Sequence, residues 1–322
     1  MVLTVTLNPS LDRSLVVESL RRDVRVFSSG NRLEPGGKGI NVSRVLARMG
    51  VSSHMLALVG GPEGEIFERL CRTERLPLVP VRCADSTRTN LTLSSHRPRA
   101  EYKINEAGPR IRPGELREFL KTYRRLLRGK KYVVLGGSLP PGVPPDFYAR
   151  LVREAQRSQV RTAVDCDGSV LRKTAAATPW LIKPNRHELA ELVGKKQGSF
   201  RQIEAAAIEL IHSRRAENIL VSMGAKGAVL LGEAEIPGSV RGVRCAVGRS
   251  DDPSSVRSTV GAGDTLLGAF VGGLCRGLSE GESLGLAVAC ASLTVAKPGT
   301  ELVSARELGE LMRSFGIHGK KS

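Results

Sequence analysis

The chain has 322 residues, 41% of them hydrophobic and 25% charged, a balance that excludes a disordered polyelectrolyte and suffices for one large α/β domain or two modest ones. It carries 49 Lys and Arg against 32 Asp and Glu, a formal net charge of +17, which suits solubility and the attraction of small anions. Aromatic residues make up only 4%, too few for base-stacking platforms, and no zinc-finger or RRM signature occurs, so nucleic acid is not the expected partner.

The first ten residues, "MVLTVTLNPS", have no basic segment ahead of an apolar one and break at Asn-Pro, which predicts a first strand over 2–7 and no signal peptide. Further apolar, β-rich runs follow at 52–60, 131–137, 161–166, 180–185 and 218–224. Helical periodicity lies between them at 39–50, 115–127, 145–158 and 199–213, with Gly50 and Gly277 as C-terminal stops. Strands that are apolar throughout, alternating with helices, predict a mostly parallel sheet covered on both faces, which binds ligands at the carboxyl ends of its strands. Residues 12–35 and 87–107 alternate apolar and polar side chains instead, and are expected to be exposed antiparallel strands pairing into a flap over one edge of the sheet. An alternative reading of both is long decorated loop.

The longest apolar run, 283–296, is short, rich in small residues and bounded by Glu282 and Lys297, so it predicts a buried helix and no membrane contact. Six cysteines (Cys71, Cys83, Cys166, Cys245, Cys275 and Cys290) form no CxxC pair and are expected as reduced thiols of a cytoplasmic protein. "HELAE" from His187 begins like HExxH but has Glu191 where the second His belongs, so no zinc site is expected.

The densest chemistry is "STVGAGDT" (258–265), ahead of an apolar helical run from Leu266. Gly261 and Gly263 let successive amides converge, and a helix N-terminus beside them makes an anion hole. Asp264, there, is either an N-cap or a base that takes a proton from a hydroxyl while the amides hold phosphoryl charge. The stretch is neither G-x-G-x-x-G, since Leu266 replaces the third glycine, nor a Walker A loop. A second glycine cluster, "EPGGKGIN" (34–41), places Lys38 and Asn41 in a first helical turn, and Asp12 in "NPSLD" suits sugar hydroxyls. Asn185 and Glu188 in "KPNRHEL" are spaced for a mutual cap or for a hydrated Mg²⁺. Ser222, Gly224 and Gly227 in "SMGAKG" read as a nucleotide-contacting turn.

In order, "TVTLNPSLD", "PGGKGINVSRVL", "TRTNL", "GGSLPPGVP", "IKPNRHEL", "VSMGAKGA" and "STVGAGDT" resemble the PfkB (ribokinase-like) carbohydrate kinases, in the branch acting on ketohexose phosphates, from about residue 2 to "KPGTEL" (297–302). The resemblance implies a three-layer α/β/α core (1–11, 36–86 and 108–322) and a β-sheet lid (12–35 and 87–107). It implies Asp264 as catalytic base with the amides of Gly261, Ala262, Gly263 and Asp264 as anion hole. Asp12, Gly37 and Asn41 would hold sugar hydroxyls, and Lys38, Arg88 and Ser138 the substrate's phosphate. Asn185 and Glu188 would serve magnesium and phosphate, with Lys183, Ser222, Gly224 and Gly227 on the ATP side. The implied reaction is ATP-dependent phosphorylation of a ketohexose monophosphate, fructose 1-phosphate first, with tagatose 6-phosphate and fructose 6-phosphate as alternatives. A different class of reading is a non-catalytic basic nucleic-acid or regulatory binder on a kinase scaffold. An exposed lid edge offers a surface for a homodimer. The chain departs from the family in a polar, irregular segment before the glycine motif (with an insertion at 248–257) and in Thr265 where Ser is more usual.

Overall fold

The structure, a computed structural model, describes residues 1–166, 168–195, 198–234, 239–245, 258–297, 299 and 301–317; the 248–257 insertion lies outside the described residues. From the N-terminus, β1 (Val2–Thr6) leads to β2 (Ser10–Ser19) and β3 (Ser28–Gly36), then α1 (Lys38–Arg48), β4 (Ser53–Val59), α2 (Gly61–Thr73) and β5 (Leu78–Arg82). Next come β6 (Arg88–Arg97), β7 (Arg99–Ile104), α3 (Pro113–Leu127), β8 (Tyr132–Gly136), α4 (Phe147–Arg157), β9 (Arg161–Asp165) and α5 (Gly168–Ala175). The chain continues through β10 (Leu181–Ile182), α6 (Arg186–Val193), α7 (Phe200–His212), β11 (Asn218–Ser222), β12 (Ala228–Glu233) and β13 (Val240–Cys245). Three helices follow: α8 (Ala262–Cys275), α9 (Glu280–Val295) and α10 (Ala305–Ser314).

Nine strands form one sheet in the order β13-β12-β11-β10-β9-β8-β1-β4-β5, parallel except at the β11–β12 and β12–β13 pairs. Both faces are covered, as apolar strands require. Leu3, Val5, Val133, Leu135 and Val164 pack against Phe119, Tyr123, Phe147 and Leu151 of α3 and α4. On the opposite face Val2, Val134 and Ala163 meet Val45 and Leu46 of α1 with Leu267 and Phe270 of α8. The expected three-layer architecture is therefore present. The predicted strand at 180–185 shrinks to Leu181–Ile182 because Pro184 has no N–H to give the ladder, although its carbonyl still accepts from Ser222 N.

Close glycine contacts set how α1 sits on the sheet. A Cβ at Gly39 would collide with Thr6 Oγ1 and lie 3.0 Å from the Val5 carbonyl oxygen, so the first turn of α1 lies directly on β1. Where α1 meets α8, a Cβ at Gly268 would stand 3.0 Å from Val45 Cβ. The run predicted as a buried helix is α9, with Leu284, Leu286, Ala287 and Val288 in the core.

The two alternating segments do form a second sheet, ordered β3-β2-β6-β7. Its outer pairs are antiparallel, but the central β2–β6 pair is parallel, which corrects the all-antiparallel expectation. The reason is topological. Each of these strands continues outward from the same end of a parallel core strand, β1 or β5, so both leave the core in one direction. Four short connections, 7–9, 37, 83–87 and 105–112, tie this lid to the core.

Candidate active site

The carboxyl ends of β1, β8, β9, β10 and β11 open into one cavity of about 1390 Å³ roofed by the lid sheet. It is lined by every residue singled out in the sequence: Asp12, Gly37, Lys38, Asn41, Arg88, Ser138, Lys183, Asn185, Glu188, Ser222, Gly224, Gly227, Gly261, Ala262, Gly263 and Asp264.

At its floor, Gly261 has φ 75° and caps α8, and a Cβ there would meet Leu302 Cδ2 at 2.5 Å, so only glycine fits this turn. The first helical-ladder bond of α8 runs from Thr265 N to Gly261 O, leaving the amides of Gly263 and Asp264 without a backbone acceptor among the described residues. Asp264 is not the N-cap, and its side chain makes no capping bond. Instead its Oδ2 accepts from Asn41 Nδ2 at 2.8 Å. Asn41 Oδ1 in turn accepts from Arg44 at 2.9 Å, and Arg44 makes a two-pronged pair with Glu74 at 2.6 and 2.8 Å. That chain fixes the Asn41 amide with its N–H toward Asp264.

Beside Asp264 lies Asp165, at the last position of β9, 3% exposed and bonded to Lys38 at 2.8 Å and Lys183 at 3.2 Å. Burial works to raise the Asp165 carboxyl pKa, but the charges of Lys183 and Lys38 overcome it and hold it below the usual range. Burial likewise opposes the Lys38 ammonium, and Asp165 more than compensates, so its pKa is raised. For Asp264, burial first and then the like charge of Asp165 push the carboxyl up to about 6, against the pull of Asn41, Lys38 and Lys183. A carboxylate poised there, beside free amides, can take a proton from an alcohol near neutral pH.

At the lid side, Arg88 donates to the backbone oxygens of Glu106 (3.0 Å) and Asn8 (3.1 Å), and no carboxylate pairs with it among the described residues. Asn8 Nδ2 donates to Ser138 Oγ at 3.1 Å. Buried Asn8 Oδ1 and Arg88 Nε have no protein partner. A guanidinium held by carbonyls and facing a cavity is a ready clamp for an oxyanion.

Asn185 and Glu188 build a reciprocal cap on α6. Asn185 Oδ1 accepts from the amides of His187 (2.8 Å) and Glu188 (3.0 Å), and Asn185 N donates to Glu188 Oε2 at 2.8 Å. The Asn185 oxygen is thereby engaged, whereas Glu188 Oε1 has no protein donor among the described residues. One carboxylate oxygen at a polar cavity wall fits a mostly hydrated magnesium ion. The opposite wall is apolar: Val288, Ala291 and Val295 of α9 with Val260. Of these groups, Asp165, Arg44, Asn8 and the α9 wall escaped sequence reasoning. Only the α9 wall had a legible signal, a 288/291/295 stripe at helical spacing.

The poised carboxylate has a cost that can be measured. An unfolded-chain aspartate titrates near about 3.9, so the fold binds a proton at Asp264 more tightly than the unfolded chain does. The ionised form therefore destabilises the protein above about pH 6, and that loss disappears as pH falls toward about 4. Asp264→Asn, always neutral, is expected to be more stable than the parent by about 1–3 kcal/mol at about pH 8, with no advantage near about pH 4. Thermal melts at the two pH values check this, and equal stability at the higher pH would contradict it.

Comparison with known proteins agrees with the geometry. The chain is 34% identical over 295 residues to 1-phosphofructokinase of Bacillus subtilis, spanning 91% of this chain and 92% of that protein. It is 32% identical to D-tagatose-1-phosphate kinase of Bacillus licheniformis, spanning 94% and 95%. The structure superimposes on phosphofructokinase-2 of Escherichia coli in complex with fructose-6-phosphate with a TM-score of 0.86 at 28% identity, covering 98% of this chain and 99% of that one. Residues 7–306 match the model of the pfkB family carbohydrate kinases, and with the strand-end cavity, the glycine turn and the buried carboxylate in place, the chain belongs to that family.

Proposed function

We propose that this kinase transfers the γ-phosphoryl group of ATP to the free primary hydroxyl of a ketohexose monophosphate, fructose 1-phosphate first, yielding fructose 1,6-bisphosphate. What carries the reading is the presence in one cavity of a buried carboxyl poised near neutrality, Asp264, and an arginine without a carboxylate partner, Arg88. The first group suits an alcohol that must lose a proton, the second a substrate that already carries phosphate. The names of the curated relatives, kinases of ketohexose phosphates, support the same substrate class.

In this reading Asp12 and Asn41 hold sugar hydroxyls over Gly37, and Arg88 with Ser138 takes the sugar's phosphate. Lys38, held by Asp165 and attracted more weakly by Asp264 and Glu188, joins Arg88 and Ser138 at the sugar's phosphate. The hydroxyl oxygen bonds to the γ-phosphorus, its proton passes to Asp264, and the bond from that phosphorus to the ADP oxygen breaks. The amides of Gly263 and Asp264, with that of Gly261, answer the charge that spreads over the transferring group, whereas the Ala262 amide, expected among them, donates to Thr259 O at 3.4 Å. Lys183, Ser222, Gly224 and Gly227 line the nucleotide's phosphates and ribose, and the α9 wall takes the base. Glu188 would hold magnesium through its waters, with Asn185 positioning Glu188; bound there, the ion neutralises phosphate charge.

The lid also suggests the assembly. Val24, Phe27, Tyr102 and Ile104, exposed by 58%, 79%, 45% and 58%, are four of the five large hydrophobic side chains the described residues leave exposed, and all belong to the lid sheet or its β2–β3 loop. With the outer edges of β3 and β7 unpaired among the described residues, the lid fits a second copy of this chain. We infer a cytoplasmic protein from six cysteines of which none is in a disulfide. No helix among the described residues is long and apolar enough to cross a membrane.

ATP consumption across fructose 1-phosphate, tagatose 6-phosphate, fructose 6-phosphate and free fructose tests the function; fructose 1-phosphate is expected to give the highest kcat/KM. Asp264→Asn is expected to lower kcat about 10²–10⁴-fold with nucleotide binding retained. Arg88→Ala and Lys38→Ala are each expected to cost about ten- to a hundredfold in kcat/KM on the phosphorylated sugar and much less on free fructose. Equal losses on both sugars would remove the phosphate clamp. Glu188→Gln is expected to raise the Mg²⁺ concentration needed for half-maximal rate more than the sugar KM, and an unchanged Mg²⁺ titration would leave Glu188 a helix cap alone. For the assembly, Phe27→Asp is expected to sediment as a monomer where the parent sediments as a dimer; a monomeric parent would refute the lid interface.

A further inference from the structure

Asp12 of β2 and Asn90 of β6 stand directly opposite each other in the parallel centre of the lid sheet, and both line the cavity. Asp12 is held firmly. Its carboxylate fills the space over Gly36 where a Cβ would collide with it, and its Oδ1 accepts from Ser10 Oγ at 2.7 Å and from Asn90 Nδ2 at 3.0 Å. A carboxylate only accepts, so Asn90 must turn its NH₂ toward Asp12 and its Oδ1 away from it. That Oδ1 is buried and has no partner in the protein. An orphaned buried carbonyl is costly unless a ligand satisfies it.

Asp12 Oδ2 and Asn90 Oδ1 are thus two acceptors with unused capacity on paired residues that both line the cavity. Two adjacent acceptors repel phosphate oxygens and match two hydroxyl hydrogens on neighbouring carbons. We propose that Asn90 is a specificity-determining residue: its side-chain oxygen reads the configuration of the sugar hydroxyl next to the one Asp12 holds, and so sets which ketohexose phosphate epimer is accepted. The proposal rests on the kinase reading above and adds to it the atom that discriminates. Inverting one carbon carries its O–H away from Asn90 and leaves the buried oxygen unpaired, a penalty that a site built to bond a hydroxyl imposes on an analogue failing to offer it.

D-fructose 1-phosphate and D-tagatose 1-phosphate differ in the configuration of one ring hydroxyl and so provide the test. The parent is expected to discriminate between them in kcat/KM. Asn90→Leu, similar in volume and unable to accept, is expected to lose about tenfold or more on the favoured epimer and less than about threefold on the other, so that the ratio collapses toward unity. Asn90→Ala is the second variant, giving the same collapse if the leucine variant does not fold. Equal losses on both epimers would show that Asn90 only props Asp12, and an unchanged ratio would also overturn the proposal, as would a parent that does not discriminate. A parent inactive on both sugars would instead bring down the substrate reading, and this proposal with it. Parent activity with variants of unaltered ratio refutes Asn90 alone.

Discussion

The buried ion triad of Asp165 with Lys38 and Lys183 is the constraint on which the site depends. A carboxylate 3% exposed is tolerable only if cations meet it, because an unpaired charge left in such a place costs about 3–5 kcal/mol. Two lysines answer it here, one from the first turn of α1 and one from just past β10, so a single acid at the end of β9 locks a covering helix to the strand edge of the sheet. The same triad sets the electrostatics of its neighbour. Asp165 supplies the like charge that helps lift Asp264 toward neutrality, while the lysines stop it from rising further. Moving any member would alter both the fit of α1 on the sheet and the proton affinity of the carboxyl above it.

The sheet explains why these groups meet at all. Parallel strands deliver their carboxyl ends to one edge, where each chain leaves the ladder with unpaired backbone and a freely chosen next residue. Asn8 follows β1, Ser138 follows β8, Asp165 ends β9, Lys183 follows β10 and Ser222 ends β11. The glycines at 37, 39 and 261 then bring two helix N-termini onto that edge more closely than any side chain would permit. Part of the excess of basic residues lies here, as Lys38, Arg88 and Lys183, in a cavity suited to two phosphorylated ligands. Most of the rest is spread over the surface, where it accelerates encounter with anions more than it decides binding.

How much of this was legible in the sequence varied with how local the signal was. Asp264 stood out because Gly261 and Gly263 just before it announce a nest and an apolar run announces the helix behind it. The Asn185–Glu188 spacing also showed, but it is shared by a reciprocal cap and a metal site, and the structure builds the cap. Asp165 was illegible: an acid closing "RTAVD" looks like any strand end, and its two partners lie 127 and 18 residues away. Arg44 was hidden for the same reason, being a cation on an apolar helix whose partner Glu74 belongs to the end of another. The alternating pattern of the lid revealed strands but not their direction, since alternation is identical in parallel and antiparallel pairs. Pairing direction followed from where each strand left the core, and that is a property of the whole topology.

Each of the four connections between lid and core carries or abuts a cavity residue: Asn8 between β1 and β2, Gly37 between β3 and α1, Arg88 at the start of β6, and Asn105 after β7. The lid therefore has no pivot that is independent of what occupies the cavity. A ligand that settles on these four residues grips the sheet at its attachment points, so the tilt of the lid and the occupancy of the cavity become one variable. Selection at these short loops acts on a mechanical joint and a recognition surface at once. They form the part of the molecule in which the attachment of the lid and the contact with a ligand fall on the same residues.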